Sequence, residues 1–319
     1  MLDDPVLIDD WHPVARVEDL GGGGPIGTRL LGEDIVLWRS GEAYIAWRDL
    51  CVHRGTRLSL GQVVGGDRLE CAYHGWTYGP DGRCVHIPAH PAQAPPAKAC
   101  VAAFKAKAVH GIVWVSLGSG AAGIPTFELL EDPAHRVLIA GPYRVRASGP
   151  RVIENFLDVG HFPFVHEGIL GDRARPEIED YTAEVTHSGV VAEGVKVYQP
   201  DPFGTGLGST VTYTYRAHRP LTASLVKYGD LSLGIMLSVT PHDATDSTAW
   251  MWVCMNYETE SSPIEFQDRI FAQDRPILES QRPELLPLDL QAELHLRSDR
   301  TAIAYRRWLK ELGVRTGAS

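Results

Sequence analysis

Cys51-Val52-His53 and Cys71-Ala72-Tyr73-His74 decide how this chain is read. Each segment supplies one thiolate and one imidazole at a spacing that lets both turn toward one metal site. Two Cys and two His also make a structural zinc site, but zinc pairs run Cys with Cys and His with His. Here each pair is mixed, Cys-x-His and then Cys-x2-His. In a Rieske [2Fe-2S] cluster Cys51 and Cys71 would hold one iron and His53 and His74 the other, which raises the potential above that of an all-cysteine cluster. Gly55 behind the first pair and Gly75-Trp76 behind the second fit tight loops wrapped over a cluster. One-electron transfer is the chemistry expected.

A second constellation lies in Val152-Ile153-Glu154-Asn155-Phe156-Leu157-Asp158-Val159-Gly160-His161-Phe162-Pro163-Phe164-Val165-His166. The spacing puts Asp158 and His161 on one helical face, with Pro163 ending the helix and bringing His166 back around. Two histidines and one carboxylate on one face of Fe(II) leave positions open for dioxygen. The carboxylate is sought in Phe271-Ala272-Gln273-Asp274-Arg275-Pro276-Ile277-Leu278-Glu279-Ser280. Asp274 is the choice, but spacing alone hardly separates it from Asp268 and Glu279.

With two metal motifs in this order, the chain resembles the Rieske non-haem iron oxygenases, α-subunits of the monooxygenase and demethylase type. The resemblance runs from Trp11-His12-Pro13-Val14-Ala15 through both constellations to Gln273-Asp274. Within the family it looks closest to the hydroxylases of saxitoxin biosynthesis, through Cys84-Val85-His86-Ile87-Pro88-Ala89-His90-Pro91, residues 161–173 and the tail 298–314. It shares the outline of dicamba and vanillate demethylases. The resemblance implies an α+β chain: an N-terminal all-β Rieske [2Fe-2S] domain, 1–118, and a C-terminal helix-grip catalytic domain, 119–319, with an antiparallel sheet wrapped on a long helix. It implies His161, His166 and Asp274 as ligands of a mononuclear Fe(II), and electrons from NAD(P)H through a separate flavin/iron-sulfur reductase or ferredoxin. It also implies a homotrimer in which Asp158 bridges one subunit's His74 to its neighbour's His161, with Asn155 behind the iron or in the pocket.

The implied reaction is hydroxylation of a C–H bond in a small polar molecule, a saxitoxin-like guanidinium alkaloid by resemblance. The alternative is O- or N-demethylation of an aromatic carboxylate or sulfonate, since a hydroxylated methyl on N or O collapses. Two further classes are a Rieske electron-transfer protein with an appended domain, against which the second constellation speaks, and a helix-grip binding protein with vestigial metal sites.

Length and composition agree. The chain has 319 residues, 44% of them hydrophobic, enough to bury a large core, and two domains are expected. A formal charge of -10 argues against nucleic-acid binding. No apolar run is long enough to span a membrane and the acidic N-terminus is not a signal peptide, so a cytoplasmic enzyme is expected. Five cysteines, two committed to iron, fit a reducing compartment.

Along the chain, β-rich runs at 35–38, 43–47 and 112–117 are separated by Gly and Pro turns, and 118–125 reads as a linker. A helix is expected over 152–159, strands over 210–215, 231–239 and 249–257, and then a helix opened by Ser262-Pro263 with Glu265 as capping partner. Residues 297–313 read as a terminal amphipathic helix. The other histidines read as surface or packing residues, and Trp250, Trp252 and Tyr257 as core. Met255 and Asn256 are open to a pocket role. Arg48, Arg54, Arg57 and Arg68 could dock an acidic redox partner.

Overall fold

The computed structural model describes residues 2–203, 206–228, 231–259 and 261–319. The chain forms two compact units, Met1–Ile124 and Pro125–Ser319.

The first unit begins with a short helix α1 (Pro5–Ile8) and carries ten strands: β1 (His12–Arg16), β2 (Ile26–Leu30), β3 (Glu33–Ser40), β4 (Ala43–Arg48), β5 (Gln62–Val64), β6 (Arg68–Glu70), β7 (Thr77–Tyr78), β8 (Cys84–His86), β9 (Ala103–Val109) and β10 (Ile112–Ser116). Six form a sheet in the order β1-β10-β9-β4-β3-β2, and β5 to β8 form a second sheet in sequence order. The expected strands at 35–38, 43–47 and most of 112–117 fall within β3, β4 and β10. Trp38 and Trp47 meet edge to face at 5.1 Å between centroids and Trp47 meets Tyr78 at 6.4 Å, giving a rigid aromatic floor. Cys51 and Cys71 are buried in the same cluster.

The second unit is a seven-stranded antiparallel sheet with helices against it. Its elements are β11 (Arg136–Val145), α2 (Gly149–Leu157), α3 (Phe162–Val165), β12 (Thr182–Thr186), β13 (Gly189–Gln199), β14 (Ser209–Arg219), β15 (Thr222–Tyr228), β16 (Leu233–Pro241), β17 (Ser247–Met255), α4 (Pro263–Ser280) and α5 (Arg300–Leu312). The sheet order is β11-β17-β16-β15-β14-β13-β12. Alternation along β17 sends Met251, Val253 and Met255 to a cavity and Trp250, Trp252 and Cys254 to the other face.

Helix α4 starts as its sequence dictates: Ser262 Oγ accepts from Glu265 N at 3.3 Å and Pro263 sits where its missing N–H is harmless. Its buried positions, Gln267, Ile270, Phe271, Asp274 and Leu278, make one helical stripe. Phe271 stacks on Tyr143 of β11 at 4.6 Å. The terminal segment opens with a 3-10 turn, Arg297–Asp299, and α5 ends at Gly313 in the left-handed region. Arg306 of α5 grips Glu154 of α2 through two 2.6 Å bonds. Among the described residues, no helix is long and apolar enough to cross a membrane.

Candidate metal centres and cavity

The two mixed Cys/His segments form matching turns. Gly55 N donates to Cys51 O at 2.9 Å and Cys51 N to Thr56 O at 2.8 Å; Gly75 N donates to Cys71 O at 3.0 Å and Cys71 N to Trp76 O at 2.9 Å. Both glycines have positive φ, +72° and +69°, which a side chain would strain. A Cβ at Gly75 would also come within 2.9 Å of Pro88. The turns bring the His53 and His74 rings to 4.6 Å, and His53 stacks on Trp76. His53 Nδ1 is buried with no hydrogen-bond partner, and Tyr78 OH stands 3.1 Å from Cys51 Sγ. A buried, unpartnered imidazole nitrogen beside two buried thiols fits a [2Fe-2S] cluster held by Cys51, Cys71, His53 and His74.

In the second unit one donor atom each of His161, His166 and Asp274 lies within 4.8 Å of the others. Asp274 Oδ1 is 3.1 Å from His166 Nε2 and 3.5 Å from His161 Nε2. Both rings are held from behind. His161 Nδ1 lies 2.8 Å from Asp158 Oδ2, and His166 Nδ1 lies 2.8 Å from Gln273 Oε1. An N–H donated rearward from each Nδ1 leaves both Nε2 lone pairs facing Asp274, as an iron would need. His166 Nε2 is buried without a hydrogen bond, a second sign that the three groups fit a metal. Asn155 Nδ2 reaches Asp274 Oδ1 at 3.4 Å.

The carboxylates that spacing could not separate are separated by β11 and the residue that follows it. Tyr143 OH donates to Asp268 Oδ1 at 2.6 Å, and Arg146 holds Glu279 through its backbone N–H and guanidinium at 3.1 and 3.0 Å. Asp274 alone of the three faces the histidines.

The local structure departs from expectation between these ligands. Asp158 and His161 do not share a helical face, because α2 ends at Leu157 and Asp158 is extended, at φ −90°, ψ 140°. Its carboxylate accepts from Gly160 N at 2.8 Å and His161 N at 3.2 Å, so the side chain takes over backbone donors and stops the helix. Pro163 opens α3 rather than ending a helix, since a first-turn residue needs no N–H. Burial opposes the charge of Asp158, yet hydrogen bonds from His161 and Gly160 hold its carboxyl below the usual range.

A cavity of about 550 Å³ opens beside His161, His166 and Asp274. Its walls are mostly apolar, from Leu225, Leu233, Ile235, Met251 and Val253 among others, with Gln199, Asp201 and Lys227 as polar breaks. Met255 and Tyr257 line it. Asn256 instead caps a turn, its Oδ1 accepting from Ser232 N at 2.7 Å. Lys227 carries no motif to mark it in the sequence, and Gln273, though part of the resembling Gln273-Asp274 segment, gave no sign of its place behind His166. Three of the four arginines near the cluster are spoken for: Arg48 by Glu33, Arg57 by Asp34 and Arg68 by Asp67. Arg54 makes no ion pair among the described residues.

Residues 10–105 match the Rieske [2Fe-2S] domain family, and residues 145–315 match the Vanillate O-demethylase oxygenase C-terminal domain family. The chain belongs to the Rieske non-haem iron oxygenases. This oxygenase is 34% identical to methylxanthine N1-demethylase NdmA of Pseudomonas putida, over 95% of this chain and 88% of that one. It is similar to the structure of NdmA with caffeine, with a TM-score of 0.84, 32% identity and coverage of 96% and 91%. A 113-residue stretch, 35% of this chain and 19% of the other, is 40% identical to oxidoreductase NdmD of the same organism. As a member of that family the oxygenase is an oxidoreductase with a Rieske cluster and non-haem iron as cofactors. These relatives support the family but not a special closeness to the saxitoxin hydroxylases.

Proposed function

We propose that this chain is the terminal oxygenase of a demethylase system, removing a methyl group from N or O of a small aromatic or heteroaromatic compound. The observation that carries this is the apolar cavity ending on His161, His166 and Asp274, in a chain whose relatives over nearly full length are demethylases. We assign electron storage to residues 1–118, through Cys51, His53, Cys71 and His74, and catalysis to residues 119–319, with His161, His166 and Asp274 as iron ligands. When bound, the cluster and iron supply the electrons and the dioxygen-binding site by which one oxygen enters the methyl C–H bond and the other leaves as water. The hydroxymethyl product then breaks its bond to N or O, releasing formaldehyde and the demethylated ring. The residues around the iron do the rest. Asp158 and Gln273 fix the imidazoles, Asn155 orients Asp274, and the apolar walls exclude water from the methyl group.

Hydroxylation of a guanidinium alkaloid is less well supported, because such a cation asks for a free buried carboxylate. Of the carboxylates lining the cavity, Asp274 is engaged with the histidines and Asp201 is exposed rather than buried, while Lys227 puts a buried cation on the wall. The electrons would come from NAD(P)H through a reductase of the oxidoreductase NdmD type, in the cytoplasm, where all five cysteines remain free of disulfides. A homotrimer fits the surface. A recess lined by Asp158, His161, Tyr181 and His295 is flanked by Leu294 and Leu296, 97% and 70% exposed, and Tyr73 beside His74 is 64% exposed. A neighbouring copy's cluster loop would seat in that recess, with Asp158 linking its His74 to His161.

The test is reconstitution of the iron-loaded protein with a reductase and NADH, offering methylxanthines and methoxybenzoates. Formaldehyde released in step with oxygen uptake supports the reading. Hydroxylation at ring or saturated carbons without formaldehyde would replace it.

A further inference from the structure

Lys227 is the one lysine on the cavity wall, and it is 4% exposed. It sits on β15 opposite Tyr213 of β14 and Leu233 of β16, and alternation from Leu225 turns it to the concave face. Its Nζ donates to Pro202 O and lies 4.4 Å above the Phe203 ring. An ammonium has three donors. One carbonyl and one ring face leave it short of an oxygen, and no carboxylate of the described residues forms an ion pair with it. Asp201 favours its charge from a distance, but burial prevails and pushes the amine down to about 8. A buried cation without a matched anion is costly unless something else supplies the acceptor.

A second polar group faces the same space. Gln199 is 1% exposed, donates through Nε2 to Tyr213 OH at 2.9 Å, and leaves Oε1 buried without a partner. Structural polar groups in a core are satisfied by the fold; here an incomplete lysine and an incomplete amide share one cavity wall.

We propose that Lys227 is a specificity-determining residue that donates to an oxygen acceptor, a ring carbonyl or a carboxylate, on the methylated aromatic substrate. This rests on the demethylase reading and narrows it to substrates whose methyl-bearing ring carries such an oxygen. Unsubstituted methyl aromatics would enter the apolar space but bind weakly.

The experiment measures dissociation constants by calorimetry on anaerobic holoenzyme for matched pairs of methylated aromatics. 7-Methylxanthine is set against 7-methylpurine, which lacks the ring carbonyls, and vanillate against guaiacol, which lacks the carboxylate; a wider library of such pairs follows the same scheme. Wild type is expected to favour the members with the ring carbonyls or the carboxylate by about tenfold or more, and the arm with the larger preference identifies which of the two is read. Lys227→Met should abolish the preference while leaving binding of the members without that carbonyl or carboxylate unchanged, and Lys227→Arg should keep most of it. Lys227→Gln, which retains a donor for Pro202 O, serves as the comparison if Lys227→Met loses fold or iron. A preference that survives removal of the charge, or a wild type with none across the library, overturns the proposal. Selective binding without formaldehyde release would remove the demethylase reading and leave Lys227 standing. Formaldehyde release with unaltered KM in Lys227→Met would do the reverse.

Discussion

Gln273 Oε1 accepts a hydrogen bond from His166 Nδ1 at 2.8 Å. The ring is thereby fixed with Nε2 toward Asp274, the next residue along α4. Gln273→Leu is expected to weaken iron retention by about 10–100-fold, read as iron per chain after competition with a chelator, while Gln273→Glu keeps most of it. Equal iron retention in Gln273→Leu would show that the hydrogen bond does not position the ligand.

Asp158 occupies the same place behind His161 and also faces the surface recess. Asp158→Asn should keep the red-brown colour and the full iron count but lose transfer between cluster and iron. In single-turnover experiments the reduced cluster would then fail to reoxidise when substrate and oxygen are added. Ordinary turnover by this variant would end the bridging role.

Tyr78 OH lies 3.1 Å from Cys51 Sγ, and burial followed by the Cys51 contact pushes its own ionisation upward, so the phenol keeps its proton. A hydrogen bond to a cluster sulfur stabilises the more electron-rich reduced state. With about 1 kcal/mol for one such bond, Tyr78→Phe should lower the potential by about 40 mV. Redox titration followed by visible absorption is the measurement, and an unmoved potential would show the contact to be packing alone.

Arg306, 2% exposed, binds Glu154 twice and Glu293 once, each at 2.6 Å. Burial raises the Glu154 carboxyl even against this pairing. Removing one partner of a buried pair leaves the other charge stranded, so Arg306→Met should cost about 3–5 kcal/mol, measured by urea unfolding. Arg306→Met combined with Glu154→Met should recover much of that loss. Equal loss in the single and double variants would locate the effect in packing.

His218 is held by burial, and secondarily by Arg216 and Arg219, at a pKa of about 4, with Nε2 2.7 Å from Ser224 Oγ. Above pH 6.5 it is neutral folded or unfolded and contributes no pH dependence. Between 6.5 and 4 the unfolded chain binds a proton that the folded chain refuses, so stability falls with falling pH, by at most about 3 kcal/mol. His218→Gln should flatten the stability profile between pH 7 and 5 relative to wild type. An identical slope in both proteins would remove His218 as a cause.

Much of the site was legible because its chemistry is local. A Cys and a His one or two residues apart are brought to one place by a tight turn, and the glycine after each pair marks that turn. The start of α4 was legible for the same reason, since Ser262, Pro263 and Glu265 act within one helical turn. The expected helix through Asp158 failed because a side chain competed for backbone donors, a contest that hydrophobic spacing does not register. The ion pairs of Arg48, Arg57 and Arg68 were not legible either, because Glu33, Asp34 and Asp67 reach them through pairings of strands and turns that residue identity alone does not fix.

The sequence by itself determined the two kinds of metal chemistry, their order and the alternation of the strands, all set by residue identity and short spacing. The tertiary structure decided which acidic residue faces the histidines, because Tyr143 on a distant strand and Arg146 just past its end hold Asp268 and Glu279 away. It also decided that Lys227 looks into the cavity. A strand's alternation says which residues share a face, and only packing against the helices says which face is enclosed.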